Sequence, residues 1–414
     1  MHHSRGANLQ AVKWQNRSVA LETLWQHQPI SRKDLAERTH LTAATVTNII
    51  GEFVAAGIVH EIGPGEPGRG RRPTLLAFVD GTACLMGVNL SRTELSIAVF
   101  DLVLNCHYHI THPITTRTSG GAAETLIDLI RDAISASRID PQRLVGIGVS
   151  SPGPLSVNEG VIYAPPQFAE WSNLPLGKLL TQAFKLPVWL ENDANANALA
   201  EHWLGAGQPY NNFIYVESHS GVGSGIILGG RLFTGSAGVA AEIGHTSIDR
   251  NGPRCPCGNY GCVELYSSGP AVVQMIRAAH SAGSPTRLTA VAGAALERLT
   301  FDQVLEAALA GDDLAGRVIE SAACSLALGI VNAINLIDPQ AVIIGHKLNR
   351  VGELALAPMR EVIQQQTIPQ AAARLNVLAG SLEGPVGVTG AACRALSGIF
   401  QEPNLLLRSF SLAG

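Results

Sequence analysis

The chain has 414 residues, 46% of them hydrophobic and 15% charged, which excludes a mainly disordered protein and leaves room for two or three domains with sizeable cores. No uninterrupted apolar run is long enough to cross a bilayer, and Met1-His2-His3-Ser4-Arg5 lacks the apolar stretch of a secretory signal, so a cytoplasmic location with no membrane partner is expected. The net charge of −4 is unevenly spread: residues 1–74 hold nine Lys/Arg against six Asp/Glu, a balance of +3 that leaves −7 for the rest and favours polyanions at the front end.

Arg17 to His27 has helical periodicity through Val19, Ala20, Leu21, Leu24 and Trp25, and Gln28-Pro29-Ile30 breaks it. Ser31 is placed to cap a short helix ending near Thr39, His40-Leu41 is a tight connection, and Thr42 can cap a third helix to about Ala56, where Gly57 stops it. Helices so closely joined predict a helix-turn-helix. Val46, Ile49, Ile50 and Phe53 then face the core, while Thr45, Thr47 and Asn48 reach base edges and phosphates of double-stranded DNA. Ile58 to Ile62 and Leu75 to Val79 predict the strands of a wing whose tip, Gly63 to Gly70 and onward, carries Arg69, Arg71 and Arg72. Arginines spaced by glycine suit a narrow A·T-rich minor groove. The competing readings are a three-helix bundle for protein contacts and an ordinary solvated basic loop.

From Ala83 strands alternate with helices. Cys84 to Leu90, Glu94 to Asp101 and Asn105 to Thr111 predict three strands, Ala122 to Ser137 a helix, Leu144 to Ser150 and Pro187 to Glu191 two more strands, and Asn192 onward a helix to about Gly205. Asn212 to Glu217, Gly225 to Leu228, Arg231 to Thr234 and Ala341 to Ile344 repeat the strand pattern, so the α/β arrangement reads as duplicated. Ala322 to Leu336 is an apolar core helix, and a helix over about Gly387 to Ser397 closes the second lobe.

His245 and the hairpin Cys255-Pro256-Cys257-Gly258-Asn259-Tyr260-Gly261-Cys262 supply one imidazole and three thiols with turn-forming glycines between them. That is the ligand set of a closed tetrahedral Zn2+ site, whose metal contributes folding energy. Buried or disulfide-bonded cysteines are the alternative, but three within eight residues cannot all pair with one another. Cys84, Cys106, Cys324 and Cys393 sit in apolar segments and read as packing residues.

These residues together resemble the ROK family of bacterial sugar kinases and repressors. The most specific element is Glu242-x-x-His245 followed by Cys255-x-Cys257-x4-Cys262-x-Glu264, supported by Ser151-Pro152-Gly153-Pro154, Glu191-Asn192-Asp193-Ala194-Asn195-Ala196 and Gly221-Val222-Gly223-Ser224-Gly225. The resemblance covers nearly the whole chain, and the winged front end matches the repressor branch. It implies an N-terminal winged helix-turn-helix (residues 1–80) followed by an α/β actin-like ATPase (hexokinase/ROK) fold of two lobes, 81–205 and 206–414, with the zinc hairpin at 245–262 and a sugar cleft between the lobes. It places Gly153, Asn192, Asp193, Glu242, His245 and Glu264 around the sugar. Clustered carboxylates, an amide and an imidazole suit hydroxyls that both donate and accept. In the family's kinases the position of Asp193 is the general base. His245 has two ring nitrogens, so one can serve the metal while the other is held as a donor for a sugar oxygen.

Other positions depart from the kinases. An Asp-x-Gly-Gly-Thr phosphate turn is replaced by Asn89-Leu90-Ser91-Arg92-Thr93-Glu94, a glycine cluster by Gly345-His346-Lys347, Gly-Thr by His219-Ser220, and Pro-Asn by Pro165-Pro166. Close backbone approach to a phosphate is hindered and a metal-side carboxylate is missing. Gly221, Gly223 and Gly225 read as turn residues. No enzyme activity is therefore expected, Asp193 being a vestigial base. The expectation is a transcriptional regulator, a repressor of carbohydrate genes, acting as a homodimer or homotetramer on a two-fold symmetric operator under a sugar or sugar-phosphate effector. Its rivals are an ATP-dependent sugar kinase with a DNA-binding head, and a regulator set by a protein partner such as a phosphotransferase-system component.

Overall fold

The computed structural model describes residues 9–64, 73–114, 121–163 and 171–411; Arg69, Arg71, Arg72 and the Pro165-Pro166 pair lie outside them. The chain forms two compact units, residues 1–192 with 387–414, and residues 193–386.

The first unit opens with helix α1 (Leu9–His27), which starts before the periodicity that begins at Arg17. Strand β1 (Ile30–Ser31) leads into α2 (Arg32–Thr39) and α3 (Ala43–Ala55). Both expected caps form: the Ser31 hydroxyl accepts from the Asp34 N–H and the Thr42 hydroxyl from the Thr45 N–H. Each satisfies a backbone donor that a helix start leaves unpaired. His40, at φ 55, turns α2 toward α3, and Gly57, at φ 70, ends the third helix where a side chain would be strained. Leu21 and Leu24 of α1 pack in the head with Leu35, Val46, Ile50 and Phe53, all fully buried. Strands β2 (Val59–Pro64) and β3 (Thr74–Phe78) complete a sheet of order β1-β3-β2. Strand β2 runs through Gly63 and Pro64, which the sequence places in the tip, by means of a bulge between Glu61 and Gly63.

Next come β4 (Cys84–Leu90), β5 (Glu94–Asp101), β6 (Cys106–Pro113), α4 (Ala122–Ser137), β7 (Leu144–Ser151), a small hairpin of β8 (Leu155–Ser156) and β9 (Val161–Ile162), α5 (Leu176–Phe184) and β10 (Val188–Asn192). Their sheet has the order β10-β7-β4-β5-β6, antiparallel through β4, β5 and β6 and parallel through β4, β7 and β10. Every residue of β7 is buried, as a central parallel strand covered on both faces must be.

The second unit starts with α6 (Asp193–Leu204) and the strands β11 (Phe213–Ser218), β12 (Val222–Leu228) and β13 (Arg231–Leu232). The helices α7 (Glu264–Ser267), α8 (Gly269–Ser281), α9 (Thr289–Ala292), α10 (Phe301–Leu309) and α11 (Asp313–Ile337) follow. It ends with β14 (Ala341–Ile344), α12 (His346–Asn349), α13 (Glu353–Gln366), α14 (Pro369–Ala372) and β15 (Asn376–Ala379), giving a sheet of order β13-β12-β11-β14-β15. Among the described residues α11 is the one helix long and apolar enough to cross a membrane, yet 61% of its most apolar window is buried in the protein. Ile319, Leu326 and Ile330 on it are fully buried in the unit's core.

The last helices, α15 (Val386–Gln401) and α16 (Asn404–Ser411), return to the first unit. This corrects the expected division at 205/206 and the assignment of the C-terminal helix to the second lobe. The physical reason lies in two glycines. Gly87 on β4 and Gly148 on β7 have no side chain, and a Cβ there would collide with the backbone carbonyls of Val388 and Ala391 on α15. The helix therefore lies directly on that sheet. Gly223 and Gly225 do the same for α6 in the second unit: a Cβ would meet the methyl groups of Ala194 at 2.8 Å and Ala198 at 2.6 Å. They sit within β12 and are packing residues rather than the turn residues expected from sequence.

Candidate functional site

The short 3-10 turn Ile243–His245 and the loop from Cys255 to Cys262 bring four ligand-type side chains together. Gly258 and Gly261 take φ values of 99° and 60°, which bend the loop back on itself. The Cys255 N–H donates to the Asn259 carbonyl at 2.8 Å, and the Asn259 amide donates to the His245 carbonyl at 3.2 Å. His245 Nδ1 lies 3.8 Å from Cys255 Sγ, and Cys257 Sγ lies 3.7 Å from Cys262 Sγ. All four ligand atoms fall within 4.8 Å of one another, and the cysteines are free thiols. A tetrahedron with metal–sulfur bonds of about 2.3 Å has edges near ~3.8 Å. The cluster is thus shaped to hold a metal ion. Cys84 and Cys393 are buried, as packing residues should be, whereas Cys324 is half-buried and Cys106 is exposed on the edge strand β6, against expectation.

Four residues of the proposed sugar set belong to the second unit: Asp193 begins α6, Glu264 begins α7, Glu242 precedes the 3-10 turn and His245 ends it. The Glu264 carboxylate accepts the Val222 N–H at 3.0 Å. Partial burial pushes the Glu242 carboxyl above its ordinary value, the charges of Asp193 and Glu264 push the same way, and His245 opposes them. Three carboxyl groups and an imidazole are therefore within electrostatic reach. Because His245 Nδ1 faces Cys255, Nε2 is the nitrogen left over. Gly153 and Asn192 belong to the first unit, where a Cβ on Gly153 would stand 3.6 Å from the Asn192 amide nitrogen.

At the positions that depart from the kinases, polar groups are committed within each unit. The Asn89 side-chain oxygen accepts the Ser150 hydroxyl at 2.8 Å, and Ser91 closes the turn to β5 by donating to and accepting from the Glu94 backbone. Lys347 is paired with both oxygens of Asp302, at 2.5 and 2.7 Å, and Arg350 joins the same carboxylate at 2.6 Å. A group that sequence reasoning missed is half-buried against α6: the Glu217 carboxylate accepts the Tyr215 hydroxyl at 2.7 Å and the Asn197 amide at 2.9 Å. Burial pushes the Glu217 carboxyl up despite those two donors. Its sequence signal was a glutamate directly after the apolar run Phe213-Ile214-Tyr215-Val216.

In the head, Thr47 and Asn48 are exposed on α3 and Thr45 is half-buried. The Thr45 hydroxyl bonds Thr42 at 2.8 Å and the Thr47 hydroxyl donates to the Ala43 carbonyl at 2.8 Å. Both hydroxyls are thus used within the helix, which leaves their methyl groups and the Asn48 amide as the outward chemistry of that turn.

The ROK family profile matches residues 85–397. The chain belongs to the ROK family. Residues 15–61 of this ROK protein match the MarR family as well, and the two matches fit a winged helix-turn-helix joined to the actin-like kinase fold. It is 31% identical over 396 residues to the xylose repressor of Caldicellulosiruptor bescii, covering 95% of this chain and 98% of that protein. It is 30% identical over 376 residues to the DNA-binding transcriptional dual regulator NagC of Escherichia coli K12, covering 91% of each. Among solved structures it is similar to a ROK family transcriptional regulator described as a homologue of the E. coli Mlc protein, with a TM-score of 0.84 and 28% identity over 97% of this chain and 99% of that one. A ROK glucokinase from Streptomyces griseus, solved with glucose and AMPPNP, matches at a TM-score of 0.65 and 30% identity, covering 76% of this chain and 99% of that one. The fold thus serves repressors and kinases alike.

Proposed function

We propose that this ROK-family protein is a DNA-binding transcriptional repressor of carbohydrate genes whose hold on its operator is set by a sugar or sugar derivative. The observation that carries this reading is the capped helix-turn-helix at the front of a ROK domain, in a chain collinear over 95% of its length with a xylose repressor. Asn48, with Thr45 and Thr47 beside it, faces the major groove, and Arg69, Arg71 and Arg72 enter the minor groove from the wing tip. Gly153, Asn192, Asp193, Glu242, His245 and Glu264 hold the sugar through paired hydrogen bonds.

The metal cluster is a structural Zn2+ site held by His245, Cys255, Cys257 and Cys262. With no open ligand position it fixes the loop that carries His245, and it supplies folding energy rather than Lewis-acid chemistry. With Nδ1 on the metal, His245 Nε2 carries the proton and donates to a sugar oxygen. The protein acts as a homodimer or homotetramer, because two recognition helices one turn of duplex apart read a two-fold symmetric site. It does not phosphorylate sugars: Asn89 and Lys347, at two positions where kinases handle phosphate, are tied up by Ser150 and Asp302.

The test is fluorescence anisotropy with duplexes from the intergenic DNA beside its own gene. Sub-micromolar binding is expected, with release by one member of a panel of D-xylose, glucose, N-acetylglucosamine and their phosphate esters. Binding to none of the duplexes overturns the repressor reading. Release by a cell-extract protein and by no sugar replaces the sugar with a protein partner, and ADP release in a coupled assay with the same sugars restores the kinase.

A further inference from the structure

The candidate sugar residue Asn192 and the recognition helix α3 both belong to the first unit, and each is tied by side-chain contacts to the C-terminal helices α15 and α16. Glu191, only 1% exposed, is the starting point. One oxygen of its carboxylate accepts the backbone N–H of Asn192 at 3.0 Å, and the other lies 3.4 Å from Nε of Arg394 on α15. Both side chains are withdrawn from solvent, so the charge of each depends on the other. One carboxylate thus connects the backbone at Asn192 to Arg394.

Helix α15 is held over its whole length. Ser150 Oγ lies 3.0 Å from the Gly387 carbonyl at its start, sharing its one proton between that oxygen and Asn89, and the bare glycines of β4 and β7 admit the helix backbone in the middle. At its far end the ring of Phe400 lies 6.2 Å from the ring of Trp25 on α1, tilted by 59°. Trp25 also donates its indole N–H to the Leu102 carbonyl, in the turn after β5, at 2.6 Å. A second contact follows at once. Arg17 of α1 donates to the Asn404 side chain at the start of α16 at 2.7 Å, and its other guanidinium nitrogens pair with Glu52 on α3. One arginine thus joins the C-terminal helix to the helix that reads DNA.

We propose that α15 and α16 are the element through which occupancy at Asn192 is passed to the DNA-reading head, with the Glu191–Arg394 pair as its input and Trp25 and Arg17 as its output. This rests on the sugar-controlled reading above and specifies how that control is exerted. The contacts are of the kind that transmit a small displacement: a buried ion pair with directional hydrogen bonds, a helix packed backbone-to-backbone on a sheet, and an indole fixed at both its ring and its N–H. A close-packed element of this kind moves as a body rather than absorbing strain. Arg394, Trp25 and Arg17 are positioning residues, since the reading gives none of them a contact with sugar or DNA.

The measurement is the ratio of operator Kd with and without the releasing sugar of the panel, made on full-length protein, together with the sugar's own Kd by calorimetry and the melting temperature. Trp25→Phe keeps an aromatic ring and removes the indole N–H. The double variant Glu191→Gln with Arg394→Met removes both charges, so that no uncompensated charge is left buried. A coupling ratio typical of two-site control lies between about 5 and 150 in the unmodified protein. In both variants the ratio should fall to within about twofold of unity, while the sugar still binds within about threefold and the melting temperature of the Trp25→Phe protein stays near that of the parent. Unchanged ratios in both variants overturn this route and leave the sugar reading standing. An unmodified protein whose operator affinity ignores every sugar of the panel overturns the sugar reading and this route with it.

Discussion

Cys257 is the exposed member of a cluster whose other thiols, Cys255 and Cys262, are buried. Replacing it by serine should therefore remove a ligand without leaving a cavity. Bound zinc measured by atomic absorption should fall from about one per chain to well below that, and stability should drop by more than ~3 kcal/mol, the range in which loss of a structural metal falls. Full zinc content in Cys257→Ser would remove the thiol from the ligand set. Glu242 stands among Asp193, Glu264 and His245 and already has a raised affinity for its proton. Glu242→Gln keeps the size and loses the acceptor pair, so the sugar that releases operator should bind ~1.5–3 kcal/mol more weakly, as expected when a hydrogen bond to a charged group is lost. Equal calorimetric affinity in the variant would take Glu242 out of the sugar's contacts. At this scale the His245, Cys255, Cys257 and Cys262 cluster was legible because its spacing along the chain is itself the signal. Asn197 and Glu217 were not, nor were Glu191 and Arg394. Each pair is assembled from separate elements, and nothing local to either partner announces the other.

The elements of the head were largely legible because capping chemistry is local: Ser31 and Thr42 each satisfy a donor three residues on. Thr42→Ala should destabilise the head by about 1 kcal/mol, read in urea denaturation, since the α3 N-terminus loses that acceptor. The link between α1 and α3 was not legible, because it depends on which turn of α1 faces Glu52. Burial works to raise the Glu52 pKa, but hydrogen bonds and charge from Lys13 and Arg17 outweigh it and hold it below the ordinary 4.5. A carboxyl that binds its proton less readily when folded stabilises the fold above its unfolded pKa, and that contribution disappears as pH falls through the lower folded value. Unfolding followed between pH 6 and 3 should therefore show a loss that begins near 4.5, and Glu52→Gln should lose less than the parent over that range. The pair is partly open to solvent, so the loss is ~1 kcal/mol or less. Helix α15 shows the limit of element-level reading: its existence follows from periodicity, but its partner sheet follows from Gly87 and Gly148, which look unremarkable in sequence.

At the scale of the whole molecule, the charge asymmetry becomes a statement about where duplex DNA goes. The front 74 residues carry +3 and the remainder −7, so the ROK domain repels the polyanion while the head attracts it. Affinity for operator should then be steeply salt-dependent through the head alone, because each cation placed on a phosphate or in the groove releases condensed counterions. Arg71 stands in the stretch Gly68-Arg69-Gly70-Arg71-Arg72. If it lies in the minor groove, Arg71→Ala should weaken operator binding at low salt and reduce the slope of log K against log salt by about one. The effect should be largest on duplexes with A·T-rich flanks, whose narrow groove concentrates negative potential, and smaller on G·C-rich flanks. Surface charge added or removed elsewhere, for instance at Arg374 in the second unit, should leave the slope alone. An Arg71→Ala protein whose slope and flank preference match those of the parent would place the wing outside the duplex and leave α3 as the whole DNA-reading surface.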